Sequence, residues 1–138
     1  SISRLTRNNE FKKDIPDNLL LIRADVLDLY YLFYKAVLNG QIKVVKQFIL
    51  YPNPWPKAKH YKRRFSANPI TPFIFKLGCD IELRSNWKTY LDEFCYAAEY
   101  FQYKRCSVET YKPEVLISAF ERKFFNSEHN LYIAVCRC

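Results

Sequence analysis

VVKQFILYPNPWPKAKHYKRRF, residues 44–65, carries the pattern that decides the fold. Its first seven residues are β-branched and apolar, the composition of a buried strand. The strand runs straight into Tyr51-Pro52-Asn53-Pro54-Trp55-Pro56, whose prolines stop both helix and strand ladder. Five cations follow, Lys57, Lys59, Lys62, Arg63 and Arg64, with His60 and Tyr61 among them. An isolated Asn is ordinarily a turn residue. Here prolines on both sides hold Asn53 in a narrow backbone range, and its amide can grip a planar heterocycle by the edge beside an aromatic face. A basic run is ordinarily a solvated surface. Beside a strand-end pocket it can hold a phosphate backbone while a base enters. If the run is helical, Lys59, Lys62 and Arg63 share one side. His60 is placed to stack or hydrogen bond, and no partner is visible that would make it a general base.

Outward from this stretch, strands and helices alternate. LLLIRA at 19–24 is an apolar run fit for a buried strand. Asp25 reads as the N-cap of an apolar helix that Asn39-Gly40 closes. After the basic run, Asn68 and Pro69 can start a helix ending at Gly78. CDIELRS at 79–85 reads as a third strand. Ser85 or Asn86 caps a long helix with Trp87, Tyr90, Leu91, Phe94, Ala98 and Phe101 on one stripe. Residues 104–112 suit an edge strand and 131–137, LYIAVCR, a last one. Such alternation predicts a largely parallel sheet with helices on its faces. Ligands of such sheets bind at the carboxyl ends of the strands. Asp25, the proline turn and Ser85-Asn86-Trp87 are expected to converge there.

Composition narrows the function classes. With 138 residues the chain is expected to form a single domain with a real core. A net charge of +8 favours polyanionic partners, nucleic acid foremost. No apolar run is long enough for a membrane helix, and the polar start SISRLTRNNEFKK lacks the core of a signal peptide. A soluble, cytoplasmic protein is expected. Cys79, Cys95, Cys106, Cys136 and Cys138 are an odd number without a secretion signal, which argues for reduced thiols. Cys136 and Cys138 share a strand face, but no second cysteine or histidine pair accompanies them, so no metal site is expected. Only Gly40 and Gly78 occur, which excludes a G-x-G nucleotide-binding turn from this chain.

YPNPWPKAKHYKRRF resembles the PDPWPK–x–x–H–x–KRR signature of the tRNA (guanine-N7)-methyltransferases. LIRADV resembles that family's strand ending in an acidic residue, ELRSNW its strand ending in T-D-W, and SAFERKF its late T-K-F-E-R stretch. The resemblance runs from about Leu19 to Cys138. It implies a three-layer, Rossmann-like α/β class I methyltransferase fold, using S-adenosylmethionine to methylate guanine N7 of tRNA. It places Asp25 at the cofactor's adenine and Asn53, the catalytic position, where cofactor and guanine meet. Lys57 and Asn86 would contact substrate. Ser118, Phe120 and Glu121 would line the substrate or methionine end.

Three departures qualify that expectation. Asn53 and Asn86 each stand where the family carries aspartate, keeping an acceptor oxygen but losing a charge. The family's first strand, with its glycine-rich cofactor loop, has no counterpart. Residues 1–138 are therefore expected to be the C-terminal portion of a methyltransferase domain lacking its first strands, binding cofactor weakly by itself. An open sheet edge would invite pairing into a homodimer. Two alternatives stay open: a non-catalytic RNA-binding remnant of the fold, or a methyltransferase acting on another substrate.

Overall fold

The computed structural model describes residues 16–115, 118–127 and 129–138. The polar N-terminal stretch and Ile117 lie outside them. The described chain is a mixed α/β structure built on a four-stranded sheet. Helix α1 (Val26–Leu38) leads to β1 (Lys46–Leu50), a 3-10 helix (Ala58–Arg63), α2 (Thr71–Lys76) and β2 (Asp80–Ser85). Helix α3 (Lys88–Tyr100), β3 (Arg105–Tyr111), α4 (Ala119–Asn126) and β4 (Leu131–Arg137) complete it.

The strands lie in the order β1-β2-β4-β3. β1 and β2 are parallel, with Leu50 opposite Arg84. β4 is antiparallel to both β2 and β3. Strands β1, β2 and β3 thus run the same way, as expected of a largely parallel sheet, and β4 alone is reversed, which makes the sheet mixed. The last strand inserts between β2 and β3, and alternation of elements along the chain does not encode that reversal. Strands β1 and β3 are the edges of the described sheet.

One face of the sheet carries the core. Ile49, Ile81, Leu83, Ala134 and Cys136 point to it, and Ile70, Ile74, Tyr90, Leu91, Phe94 and Ala98 close over it. The stripe read along α3 is the buried one, with Trp87 and Phe101 partly buried at its ends. Burial on this scale, at roughly 1.5–3 kcal/mol for each large apolar side chain, holds α2 and α3 to the sheet. The opposite face is polar along β2, where Glu82 and Arg84 alternate with Ile81 and Leu83.

Several sequence expectations need correction. LLLIRA is not a strand: Leu19 to Ile22 are exposed, and the chain there has no ladder partner among the described residues. Strand composition alone does not make a ladder, and this run does not join the open edge of β1. Helix α2 starts at Thr71 rather than Pro69. Asn68 instead forms a turn, its Oδ1 accepting from Ile70 N at 3.0 Å and its Nδ2 donating to Lys62 O at 3.3 Å. Trp87 is the N-cap of α3, and Ser85 Oγ accepts from Trp87 N at 3.2 Å just before it. The turns at Gly40 (φ +68°) and Gly78 (φ +65°) fall where expected, both in the left-handed region that glycine adopts freely.

Candidate functional site

Parallel β1 and β2 release their chains at the same edge of the sheet. There Tyr51, Pro52, Asn53, Pro54, Asn86, Phe120 and Phe124 line a cleft of about 370 Å³. Asn53 and Asn86, expected together from their places after two strands, do meet in it. Asn53 is exposed and Asn86 half-buried. Phe120 also lines it, half-exposed on α4.

The wall of the cleft is aromatic. The Tyr51 ring lies 6.4 Å from Phe120 at 12° and 6.5 Å from Phe124 at 29°, and Phe120 lies 6.4 Å from Phe124 at 24°. Near-parallel rings of this kind present flat apolar surface to a planar ligand. Tyr51 sits at φ +51°, strained for a residue with a Cβ, and its N donates to Arg84 O at 2.9 Å. Such strain persists where the surroundings over-determine it. Here the fixing contacts are that backbone bond and the Tyr51 hydroxyl, which donates to Glu121 Oε1 at 3.0 Å. Burial first, and then the bond to Glu121, push the Tyr51 phenol well above its ordinary pKa. It remains a neutral donor at any physiological pH.

Under the wall runs a chain of charges. Lys46 Nζ donates to Glu82 Oε2 at 2.8 Å, Arg84 Nε to Glu82 Oε1 at 2.8 Å, and Arg84 Nη1 to Glu121 Oε1 at 2.7 Å. Burial works against the Glu82 carboxylate, but Lys46 and Arg84 outweigh it and hold its pKa below the ordinary value. The Arg84 guanidinium also lies 4.5 Å from the Tyr111 ring. Glu121 is wholly buried. The expectation that it lines the substrate end is therefore corrected: it braces Tyr51 from beneath. Ser118 is the N-cap of α4, its Oγ accepting from Glu121 N at 3.0 Å, and it does not line the cleft.

The basic segment divides in two. Lys57, Lys59, Lys62 and Arg63 are exposed, and none forms an ion pair with another described residue. In a 3-10 helix every third residue aligns, so Lys59 and Lys62 share one side. Half-buried His60 and Arg63 share another, against Trp55: His60 meets its ring edge-on at 5.3 Å and Arg63 lies 4.6 Å from it. That separates Arg63 from the side the three were expected to share. Arg64 is corrected outright. It is buried, pairs with Glu93, donates from Nε to Trp55 O at 3.1 Å and from Nη2 to Pro56 O at 3.2 Å. Its guanidinium also faces Trp87 at 4.8 Å. It ties the proline turn to α3 and has no face left for a phosphate.

Asp25 caps α1 as expected, Oδ1 accepting from Leu27 N at 2.9 Å and Asp28 N at 3.4 Å. It does not line the cleft, because the strand that was to carry it there is absent. Tyr51, Arg84 and Phe124 were not foreseen. The alternation Asp80, Glu82, Arg84 within an otherwise apolar strand was the available signal for a polar face.

Two amides and an aromatic wall thus meet in one strand-end cleft of this α/β chain, with a cationic turn following in sequence. The chain belongs to the family described as "Putative methyltransferase", whose model matches residues 4–134. It is similar to the tRNA (guanine-N(7)-)-methyltransferase of Jannaschia sp. (strain CCS1), 44% identical over 48 residues, 35% of this chain and 18% of the relative. It is also similar to that of Roseobacter denitrificans, 33% identical over 75 residues, 48% of this chain and 30% of the relative. To that of Zymomonas mobilis it is 30% identical over 89 residues, 58% of this chain and 34% of the relative. The chain spans about a third or less of the length of these curated relatives.

Proposed function

We propose that the protein is an S-adenosylmethionine-dependent tRNA methyltransferase acting on guanine N7, and that the cleft between the ends of β1 and β2 receives the guanine. The observation that carries this reading is the meeting of Asn53 and Asn86 beside the Tyr51–Phe120–Phe124 wall. The methyl would come from S-adenosylmethionine, whose sulfonium supplies it in activated form. Guanine N7 is a bare lone pair, so no general base is needed. The chain's task is alignment of N7 with the methyl. The amide oxygens of Asn53 and Asn86 can accept from N1–H and the exocyclic amine of guanine. The base would then stack on Phe120. Accepting oxygens on that edge also offset the positive charge that develops on the ring. Lys57, Lys59, Lys62 and Arg63 would hold the neighbouring phosphates, with His60 and Trp55 shaping the turn between them.

The residues fit the nucleobase more fully than the cofactor. Asn53 is the polar group of the cleft that would meet both, and Ser118 and Glu121 would act through the placement of Phe120 and Tyr51. Asp25 lies outside the cleft and has Oδ1 occupied by the first turn of α1, so Oδ2 is the atom left for an adenine. We further read residues 1–138 as the C-terminal portion of a three-layer, Rossmann-like methyltransferase domain. Further strands would pair along the open edge of β1, where Phe48 is exposed; in this chain alone that edge would favour a homodimer visible by light scattering. No described helix is long and apolar enough to cross a membrane.

A second reading is favoured by one observation: among the described residues the cleft lining contains no carboxylate. On that reading the fold binds RNA without transferring methyl. Tritiated methyl transfer to bulk tRNA by the product of the whole gene, followed by nucleoside analysis, separates the two. Label recovered as 7-methylguanosine supports transfer. RNA binding without label supports the second reading, and label on other nucleosides would overturn the assignment of substrate.

A further inference from the structure

Three cysteines that the cleft does not use meet in one place. Cys95 lies on α3, Cys106 on β3 and Cys136 on β4, with their sulfurs all within 4.8 Å of one another. Cys106 and Cys136 stand directly opposite across the antiparallel pair, and α3 packs over both strands. Cys106 Sγ is in bonding contact with both Cys95 and Cys136. One sulfur makes one disulfide, so the arrangement is a three-sulfur cluster and not two bridges. Cys95 and Cys136 are buried, and Cys106 is half-buried. Cys79 is buried elsewhere, against Gln47, and Cys138 is exposed. The sequence spacing had drawn attention to Cys136-x-Cys138. The fold instead leaves Cys138 beyond the strand and turns Cys136 inward, toward partners that lie far away in sequence.

We propose that Cys95, Cys106 and Cys136 form a three-thiolate site for a soft divalent cation of the Zn²⁺ class. A cation about 2.3 Å from each sulfur requires sulfurs roughly 4 Å apart; the Cys106 sulfur stands closer than that to both of the others, so binding would draw it away from them within a cluster that lies inside 4.8 Å. Sulfur donors select such ions over Mg²⁺ or Ca²⁺, which take oxygen. On binding, each of the three thiols releases its proton to solvent and its thiolate bonds the ion. Three thiolates and a dication leave one net negative charge. The environment is apolar, with Phe94, Ala98 and Ala134 in the same core, so a larger charge would be costly there. Among the described residues no His or carboxylate belongs to the group. The fourth position therefore falls to a water, on the side where half-buried Cys106 and edge strand β3 give a route from solvent. The bound ion would tie α3 to β3 and β4.

Cd²⁺ is the probe, titrated into the freshly reduced chain while thiolate-to-metal absorption is followed in the ultraviolet. Native mass spectrometry gives the stoichiometry. The expected result is one Cd²⁺ per chain and a raised melting midpoint. Affinity should fall roughly tenfold or more in Cys106→Ala and in Cys95→Ala and stay unchanged in Cys138→Ala. Circular dichroism confirms that each variant folds. Alkylation of the Cd²⁺-loaded chain gives an independent readout even if a variant fails to fold: Cys138 should react while Cys95, Cys106 and Cys136 are spared. The proposal is overturned if the reduced chain binds no Cd²⁺, if Cys106→Ala binds as tightly as the parent, or if Cys138→Ala abolishes binding. It is equally overturned if the folded chain keeps a Cys106 disulfide that resists reduction.

Discussion

Replacing Glu121 tests the charged support beneath the cleft. Glu121 is wholly buried and accepts from Arg84 at 2.7 Å and from Tyr51 at 3.0 Å. Glu121→Gln keeps an acceptor oxygen but removes the charge. Each charge-assisted bond, worth about 1.5–3 kcal/mol, then drops toward the roughly 1 kcal/mol of a neutral one. Arg84 keeps Glu82 at 2.7 Å, so no unpaired charge is left behind, and a loss of about 2 kcal/mol is expected. Glu121→Ala removes the acceptor altogether, strands the Tyr51 hydroxyl and opens a cavity. Its loss should approach the roughly 3–5 kcal/mol typical of a broken buried pair. Urea unfolding, followed by the fluorescence of Trp55 and Trp87, reads these as shifts of the midpoint at constant slope. The double variant Arg84→Met/Glu121→Leu should recover much of the loss, since an apolar pair of similar volume replaces two charges. A loss below about 0.5 kcal/mol for Glu121→Ala would refute the view that this carboxylate braces the cleft wall.

Other outcomes follow from the same structure. Lys59→Ala and Lys62→Ala should each lower the slope of log binding constant against log salt for tRNA by up to about 0.9 and leave urea stability unchanged. Arg64→Met should do the reverse, because Arg64 is spent on Glu93 and the Trp55 and Pro56 carbonyls. Phe120→Ala should weaken binding of guanine-containing single strands by about 1–3 kcal/mol, measured by fluorescence anisotropy, with little loss of fold because its ring is half-exposed. Burial pushes the phenols of Tyr30 and Tyr90 up to about 12. Their folded-state values lie above the unfolded value near 10, so their contribution is full below pH ~10 and is lost as pH rises toward 12. Ultraviolet titration should show these two phenols ionising only as the chain unfolds.

The parts of the fold that were legible were those fixed by local pattern. LYIAVCR reads as a strand and is one over Leu131–Arg137. The stripe on α3 and the caps at Asp25 and Asn39-Gly40 follow from spacing and side-chain chemistry. What was not legible depends on partners. Leu19–Ile22 have strand composition but pair with no strand among the described residues, and the reversal of β4 is a matter of where the chain returns. In the site, Asn53 and Asn86 could be brought together from strand ends alone. The inward turn of Arg64 could not, since a basic run gives no hint that one member will face Glu93. The cysteine cluster joins residues from three elements, and sequence spacing does not reveal it.

The most direct test uses the product of the whole gene with two tRNA transcripts, one ordinary and one with guanine replaced by 7-deazaguanine. That substitution removes the N7 lone pair and leaves the Watson–Crick edge intact. Both transcripts should bind with similar affinity, and only the ordinary one should accept methyl, with transfer reduced about tenfold or more in Asn53→Ala. Equal methylation of both transcripts, or full transfer by Asn53→Ala, would contradict a cleft that aligns guanine N7 beside Asn53.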